Sequence, residues 1–164
     1  FPAIHWLTSY SEYINDLAPW YAENVDKNFI DYRNRLIAIL NQESSLMEIV
    51  KLIGGDMLPD DQKLILEIAK VIRIGFLQQN AFHPEDTCVP MSKQMTMMDI
   101  ILYLNKKAKS LVSLGMPISV LKSEPIFEHI ISIKYDVGND ELEKFDDYKK
   151  EIDDFYDRVL EKNA

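Results

Sequence analysis

The stretch from residue 59 to residue 77 constrains the fold most, because it is apolar on most sides of a helix. Its apolar side chains recur at helical spacing and are Leu64, Ile65, Ile68, Ala69, Val71, Ile72, Phe76 and Leu77. Only a narrow charged strip is left for solvent, and it consists of Lys63, Glu67, Lys70 and Arg73. A helix with so little polar surface must be surrounded by other helices. The stretch therefore predicts the central helix of a bundle.

The rest of the chain supplies enough apolar sequence to surround that helix. The 164 residues are 47% hydrophobic and 27% charged, which is typical of a globular protein with one core. There are only five glycines, and apolar residues recur at helical rather than alternating intervals. We therefore predict an all-α fold, a single bundle of about six helices. Residues 1–164 form one domain in this interpretation, with residues 1–10 as a connecting arm.

Capping residues, glycines and prolines give the expected helix boundaries. Asp26 has the chemistry of an N-cap, and Ser45 with Glu48 matches a capping box that opens a separate short helix. Gly54 and Gly55 end that helix. Its predicted apolar stripe consists of Leu46, Ile49, Val50 and Ile53. Further along, the predictions are a helix over residues 91–114, a break at Gly115-Met116-Pro117, a helix over residues 119–133 interrupted by Pro125, and a last helix opened by Asp140 and Glu143.

The acidic composition argues against two classes of partner. A net charge of −9 disfavours nucleic-acid binding and direct contact with an anionic membrane surface. No apolar run approaches the roughly 20 residues needed to span a bilayer. One cysteine, Cys88, allows no internal disulfide.

The sequence carries no recognisable catalytic constellation. The phosphate-binding pattern G-x-x-x-x-G-K followed by Ser or Thr does not occur among the five glycines. His83 and Cys88 are two potential ligands, and two ligands alone do not satisfy zinc. We therefore expect no catalytic residue and no metal site in this chain.

Residues 76–84, FLQQNAFHP, are the first candidate binding site. Phe76 and Phe82 bracket three side-chain amides and an alanine. An apolar ring with a few donors and acceptors suits a flat heteroaromatic ligand. The alternative is that both rings simply fill the core.

The acidic turn before the central helix is the second candidate. Proline and aspartates at a helix start are good capping chemistry and need no further role. Yet Met57 and Leu58 are expected at the tip of this turn, where apolar residues often meet a partner. A methionine cluster, Met91, Met95, Met97 and Met98, either fills the core or forms an adaptable groove.

Three segments, FPAIHWLTSYSEY, GGDMLPDDQKLILEIAK and FLQQNAFHPED, resemble one family. In this order and at these intervals they are similar to the C-terminal helical domain of the catalytic A subunit of V-type and A-type rotary ATPases. The resemblance runs from residue 1 to about residue 115, whereas the helical tail is compatible but less distinctive. It implies that the chain is a C-terminal part of a larger P-loop subunit, whose phosphate and magnesium site lies upstream.

The resemblance also implies the site residues. Phe76 and Phe82 would flank the adenine of ATP or ADP, with Gln79, Asn80 and Ala81 as the adjoining wall; which phenylalanine stacks directly stays open. The segment that would face the central rotor stalk consists of Asp56, Met57, Leu58, Pro59, Asp60 and Asp61. No cofactor is expected in the isolated chain, and ATP or ADP with magnesium is expected in the intact subunit.

The implied partners are neighbouring B subunits in an alternating A/B hexamer and the central stalk. The implied location is the cytoplasmic side of a membrane-bound complex that transports protons or sodium. The alternative interpretation, drawn from the residues alone, is a stand-alone acidic helical adaptor that binds a partner helix in a methionine-rich groove.

Overall fold

The structure, a computed structural model, describes residues 28–77, 91–133 and 144–162 of the chain. Those ranges contain six α-helices and no strand. The helices are α1 (Asn28–Ile53), α2 (Asp60–Ile72), α3 (Met91–Ser113), α4 (Ile118–Lys122), α5 (Ile126–Ile131) and α6 (Phe145–Lys162). A 3-10 turn, Gly55–Met57, precedes α2, and a π-helical turn, Arg73–Leu77, continues it. The predicted all-α bundle is thus confirmed.

Helix α2 occupies the centre of the bundle, as predicted. It packs against α1, α3, α4 and α5. Its Leu64, Ile68 and Ile72 are each at most 1% exposed. Pro59 is the N-cap residue, and its carbonyl accepts hydrogen bonds from the amides of Gln62 (3.1 Å) and Lys63 (3.0 Å).

Helix α1 is one continuous helix of 26 residues, so the prediction of a separate helix opened by Ser45 is wrong. No glycine or proline interrupts residues 28–53, and buried Leu40 and Leu46 carry the same packing face across the expected gap. A capping box works only where backbone amides lack helical partners. Within a continuous helix the serine and glutamate of this pattern have no capping role.

Gly54 ends α1 with a backbone that only glycine adopts readily. Its amide donates to the carbonyl of Val50 (2.8 Å), while its φ of 84° and ψ of 153° turn the chain away from the helix axis. Gly55 does not share this conformation, because Gly54 and Gly115 are the described glycines with positive φ. The predicted double-glycine stop therefore depends on Gly54 alone.

The predicted breaks after α3 are confirmed. The amide of Gly115 donates to Val112 (2.9 Å) and that of Met116 to Leu111 (3.1 Å), which is the paired pattern of a Schellman motif. Pro125 separates α4 from α5. The capping box predicted at residues 140–143 lies outside the described residues; the described part of the last helix is Phe145–Lys162.

Helix α6 is attached to the bundle by an apolar stripe with polar contacts along its edge. Phe155 packs edge-on against Phe127, with ring centroids 6.3 Å apart. Tyr103 of α3 donates a hydrogen bond to Asp153 of α6. That bond, together with burial and the negative charge of Asp153, raises the pKa of Tyr103 to about 12. No helix in the described ranges has the length and apolar content to cross a membrane.

The two adjacent glycines provide a matched test of the end of α1. Gly54→Ala is expected to lower the free energy of unfolding by about 1–3 kcal/mol, because a side chain is strained at this φ and ψ. Gly55→Ala is expected to leave stability unchanged or raise it by up to about 1 kcal/mol, since a Cβ there would lie 4.0 Å from its nearest neighbour. Urea denaturation of both variants measures the difference. Equal losses would contradict the assignment.

Candidate functional site

The two predicted sites lie at opposite ends of the central helix. The acidic turn precedes α2, and the π turn that holds Phe76 follows it. The 18 residues from Asp60 to Leu77 span roughly 25 Å at a helical rise of about 1.5 Å per residue. A buried helix therefore separates the two candidate sites and connects them.

The acidic turn exposes only part of the predicted contact segment. Met57 is 71% exposed, and Asp56, Pro59 and Asp61 are exposed as well. Leu58 is only 5% exposed, so its prediction as an apolar tip residue is wrong. Its amide closes the turn by donating to Gly55 (3.2 Å), and its extended backbone (φ −73°, ψ 144°) leads the chain back to α2.

Asp60 has a structural role within the turn. Its Oδ1 accepts a hydrogen bond from the backbone amide of Ile118 (3.2 Å), the first residue of α4. The carboxylate thereby satisfies an amide that has no partner inside α4. Asp60 joins the start of α2 to the start of α4, which leaves Asp56 and Asp61 as the exposed carboxylates of the turn.

An exposed apolar surface lies beside the turn, on the last residues of α1. Ile49 is 40% exposed, Leu52 85% and Ile53 54%. Their spacing puts the three on one face of the helix, and the turn with Met57 packs against α1. We call Ile49, Leu52, Ile53 and Met57 the apolar ridge.

Sequence reasoning missed the ridge because it assigned Ile49 and Ile53 to the core. Of the four residues in the predicted stripe, only Leu46 is buried, at 7% exposure. The signal available in the sequence was the position of the ridge next to the glycine stop. At that point α1 ends, so its last turn has fewer neighbours than the turns before it.

The π turn at the other end of α2 is buried at Gly75 and Phe76 and half-buried at Arg73 and Ile74. Phe76 is 1% exposed and belongs to the hydrophobic core. A Cβ on Gly75 would lie 3.1 Å from the Cα of Ile131, so the turn and α5 are in backbone contact. On the α1 side, Arg73 pairs with Glu43 through a nitrogen–oxygen distance of 2.8 Å. Of the predicted adenine-binding residues, Gln79, Asn80, Ala81 and Phe82 lie outside the described residues.

The methionine cluster of α3 is core filling where the structure describes its side chains. Met97 is 2% exposed and Met98 is fully buried, while Met95 packs against the core. The groove that the adaptor interpretation requires is therefore not formed by these three residues. Within the described ranges, no three His, Cys, Asp or Glu side chains are grouped as metal ligands would be.

Comparison with known proteins assigns the bundle to a family. Residues 18–120 match the family model described as the C-terminal domain of V and A type ATP synthase. The chain belongs to this family.

Individual relatives extend the similarity over almost the whole chain. The V-type ATP synthase alpha chain 2 of Clostridium tetani is 45% identical over 161 residues, which are 98% of this chain and 27% of that protein. The V-type ATP synthase alpha chain of Halothermothrix orenii has the same identity and coverage. An A-type ATP synthase subunit from Methanopyrus kandleri is 38% identical, also over 98% of this chain and 27% of its own length. The chain thus spans about a quarter of the length of these relatives, and the resemblance noted in the sequence is confirmed.

The buried position of Phe76 gives a stability prediction. Phe76→Ala is expected to lower the free energy of unfolding by about 3–5 kcal/mol, because it leaves a cavity in the core. Met57→Ala, at a side chain that is 71% exposed, is expected to change it by less than about 0.5 kcal/mol. Denaturant titration of the two purified variants measures both values. A loss below about 1 kcal/mol for Phe76→Ala would contradict its role in the core.

Proposed function

We propose that this chain is the C-terminal helical part of the catalytic subunit of a V/A-type rotary ATPase. In the complete subunit it contributes the adenine side of the nucleotide pocket and the contact with the central rotor stalk. The intact complex couples ATP hydrolysis or synthesis to the transport of protons or sodium. The observation that carries the proposal is the contrast between the ends of α2. One end is an exposed acidic turn beside an apolar ridge, and the other leads into residues 76–82.

The adenine side consists of residues 76–82 in this proposal. The ring of Phe76 is buried by the chain itself, so we assign it to the support of the segment. Phe82 is then the phenylalanine that stacks on the base, with Gln79, Asn80 and Ala81 as the adjoining wall. Stacking of a base on an aromatic ring contributes roughly 1–3 kcal/mol.

The phosphates and magnesium bind elsewhere in the complete subunit. The 164 residues lack the glycine-rich phosphate pattern, and most of the charge of ATP must be met by groups of that kind. We therefore expect the isolated chain to be inactive and to bind ATP negligibly. In the assembled complex, copies of the complete subunit alternate with B subunits around a hexameric ring on the cytoplasmic side of the membrane.

The stalk contact consists of the exposed part of the acidic turn together with the apolar ridge. The side chains of Met57 and Leu52 are 71% and 85% exposed and do not belong to the core. Neighbouring exposed apolar side chains are typical of interaction surfaces. Asp56 and Asp61 add negative charge beside them. This combination suits a partner helix with apolar residues flanked by lysine or arginine.

Nucleotide binding and stalk position are coupled because one helix carries both sites. When the domain closes on ATP, the acidic turn moves with α2. The stalk in turn favours whichever position of the turn it contacts best. Coupling of this kind is reciprocal in binding free energy.

Loss of the apolar ridge should uncouple the motor and leave nucleotide binding intact. In the assembled complex, Leu52→Ser with Met57→Ser is expected to reduce ions transported per ATP hydrolysed about twofold or more, because truncated interface anchors weaken contact. The ATP KM is expected to stay within about twofold, since both residues lie at the opposite end of α2 from the π turn.

Leu114→Ser is the control for this double variant. Leu114 is 59% exposed after α3, at the same end of the bundle as the acidic turn, and is not part of the ridge. Its loss therefore tests whether removal of any exposed apolar side chain at this end has the same effect. Its coupling ratio is expected to stay close to the parent value. Unchanged coupling in the double variant would exclude the ridge from the stalk contact.

A further inference from the structure

An ion pair joins α1 to the π turn at the end of α2. The Nε of Arg73 lies 3.1 Å from both carboxylate oxygens of Glu43, and an outer guanidinium nitrogen, Nη2, lies 2.8 Å from Oε2. The Glu43 side chain is 12% exposed and that of Arg73 is 32% exposed. Three short contacts from one guanidinium to one carboxylate fix the direction as well as the distance between the two helices.

The π turn is held by two different helices. The ion pair connects its first residue, Arg73, to α1, and two residues later Gly75 lies in backbone contact with Ile131 of α5. Single π-helical turns are rare in proteins and frequently occur at functional sites. Here the turn is the last described element before the stretch assigned to adenine.

Apolar side chains form the core beside the ion pair. Phe76 and Ile72, at most 1% exposed, already fill the space beneath the turn. The forked geometry of an arginine–carboxylate pair restricts how the joined elements sit relative to each other. Its effect therefore falls on the placement of the turn and of the residues that follow it.

We propose that Glu43 and Arg73 are a positioning pair for nucleotide binding, which sets the place from which residues 76–82 approach the adenine. The inference rests on the proposed function. Neither residue touches the ligand; both act through the π turn. Glu43 lies on the helix that carries the apolar ridge, so the pair also connects the ridge-bearing helix to the nucleotide end of α2.

The test uses the complete subunit in its assembled complex. Glu43→Gln keeps the shape of the side chain and removes its charge. It is expected to raise the ATP KM about 3- to 10-fold through weakened charged hydrogen bonds. The kcat and the melting temperature are expected to stay close to the parent values. Arg73→Lys, which keeps the charge without the forked geometry, is expected to give a smaller rise in KM.

The matched control is Glu67→Gln. Glu67 of α2 pairs with Lys122 of α4 at 3.1 Å, so this variant removes an interhelical ion pair away from the π turn. It is expected to leave the ATP KM unchanged. Arg73→Met alone also removes the ion pair. The double variant Glu43→Gln with Arg73→Met is therefore expected to raise the ATP KM no further than the larger of the rises in Glu43→Gln alone and Arg73→Met alone, because both changes remove the same interaction.

Two results would overturn the positioning role. One is an unchanged KM in Glu43→Gln. The other is a rise in KM that appears equally in Glu67→Gln and follows the loss of melting temperature. Phe82→Ala separates this inference from the proposed function. A raised KM in Phe82→Ala with none in Glu43→Gln rejects the positioning pair alone. An unchanged KM in both variants rejects the adenine assignment as well.

Discussion

The burial of α2 on several sides is the constraint on which the rest of the structure depends. Leu64, Ile68, Ala69, Val71 and Ile72 are each at most 1% exposed, and their neighbours come from α1, α3, α4 and α5. Each large aliphatic side chain so buried contributes about 1.5–3 kcal/mol relative to an exposed one. Sliding α2 relative to these helices would expose several of them together. Such a displacement is therefore costly, which favours α2 and its neighbours keeping their relative positions.

A rigid helix of this kind makes its two ends mechanically dependent on each other. The N-terminal end is open, with Met57 and the rest of the apolar ridge in solvent. At the C-terminal end, Phe76 lies in the core and Arg73 is paired to α1. The two ends belong to one continuous helical element of roughly 25 Å, so a rigid displacement of one end also displaces the other. This arrangement suits a domain that links a nucleotide pocket to a moving partner.

The elements that could be predicted from the sequence are those whose signals are local and strong, such as the apolar surface of α2 and the break at Gly115. Prediction failed where two interpretations differ only in tertiary contacts. Ser45 and Glu48 match a capping box by spacing, yet they lie inside a continuous helix, where the backbone amides already have helical partners. Burial of Leu58 depends on where the other helices pack. Glu43 lies 30 residues from Arg73, so only the folded bundle brings that pair together. The adenine-binding role of residues 79–82 stays a prediction.

The central claim is that the exposed end of α2 meets the central stalk, and site-specific photocrosslinking tests it most directly. A photoreactive amino acid is placed at position 57 of the complete subunit or, as the control, at position 128. Glu128 is exposed on α5, the helix that contacts the π turn at the opposite end of α2. After irradiation of the assembled complex, we expect covalent adducts with central-stalk subunits from position 57 and none from position 128. Adducts from position 57 that contain only subunits of the surrounding ring, or equal stalk adducts from both positions, would contradict the claim.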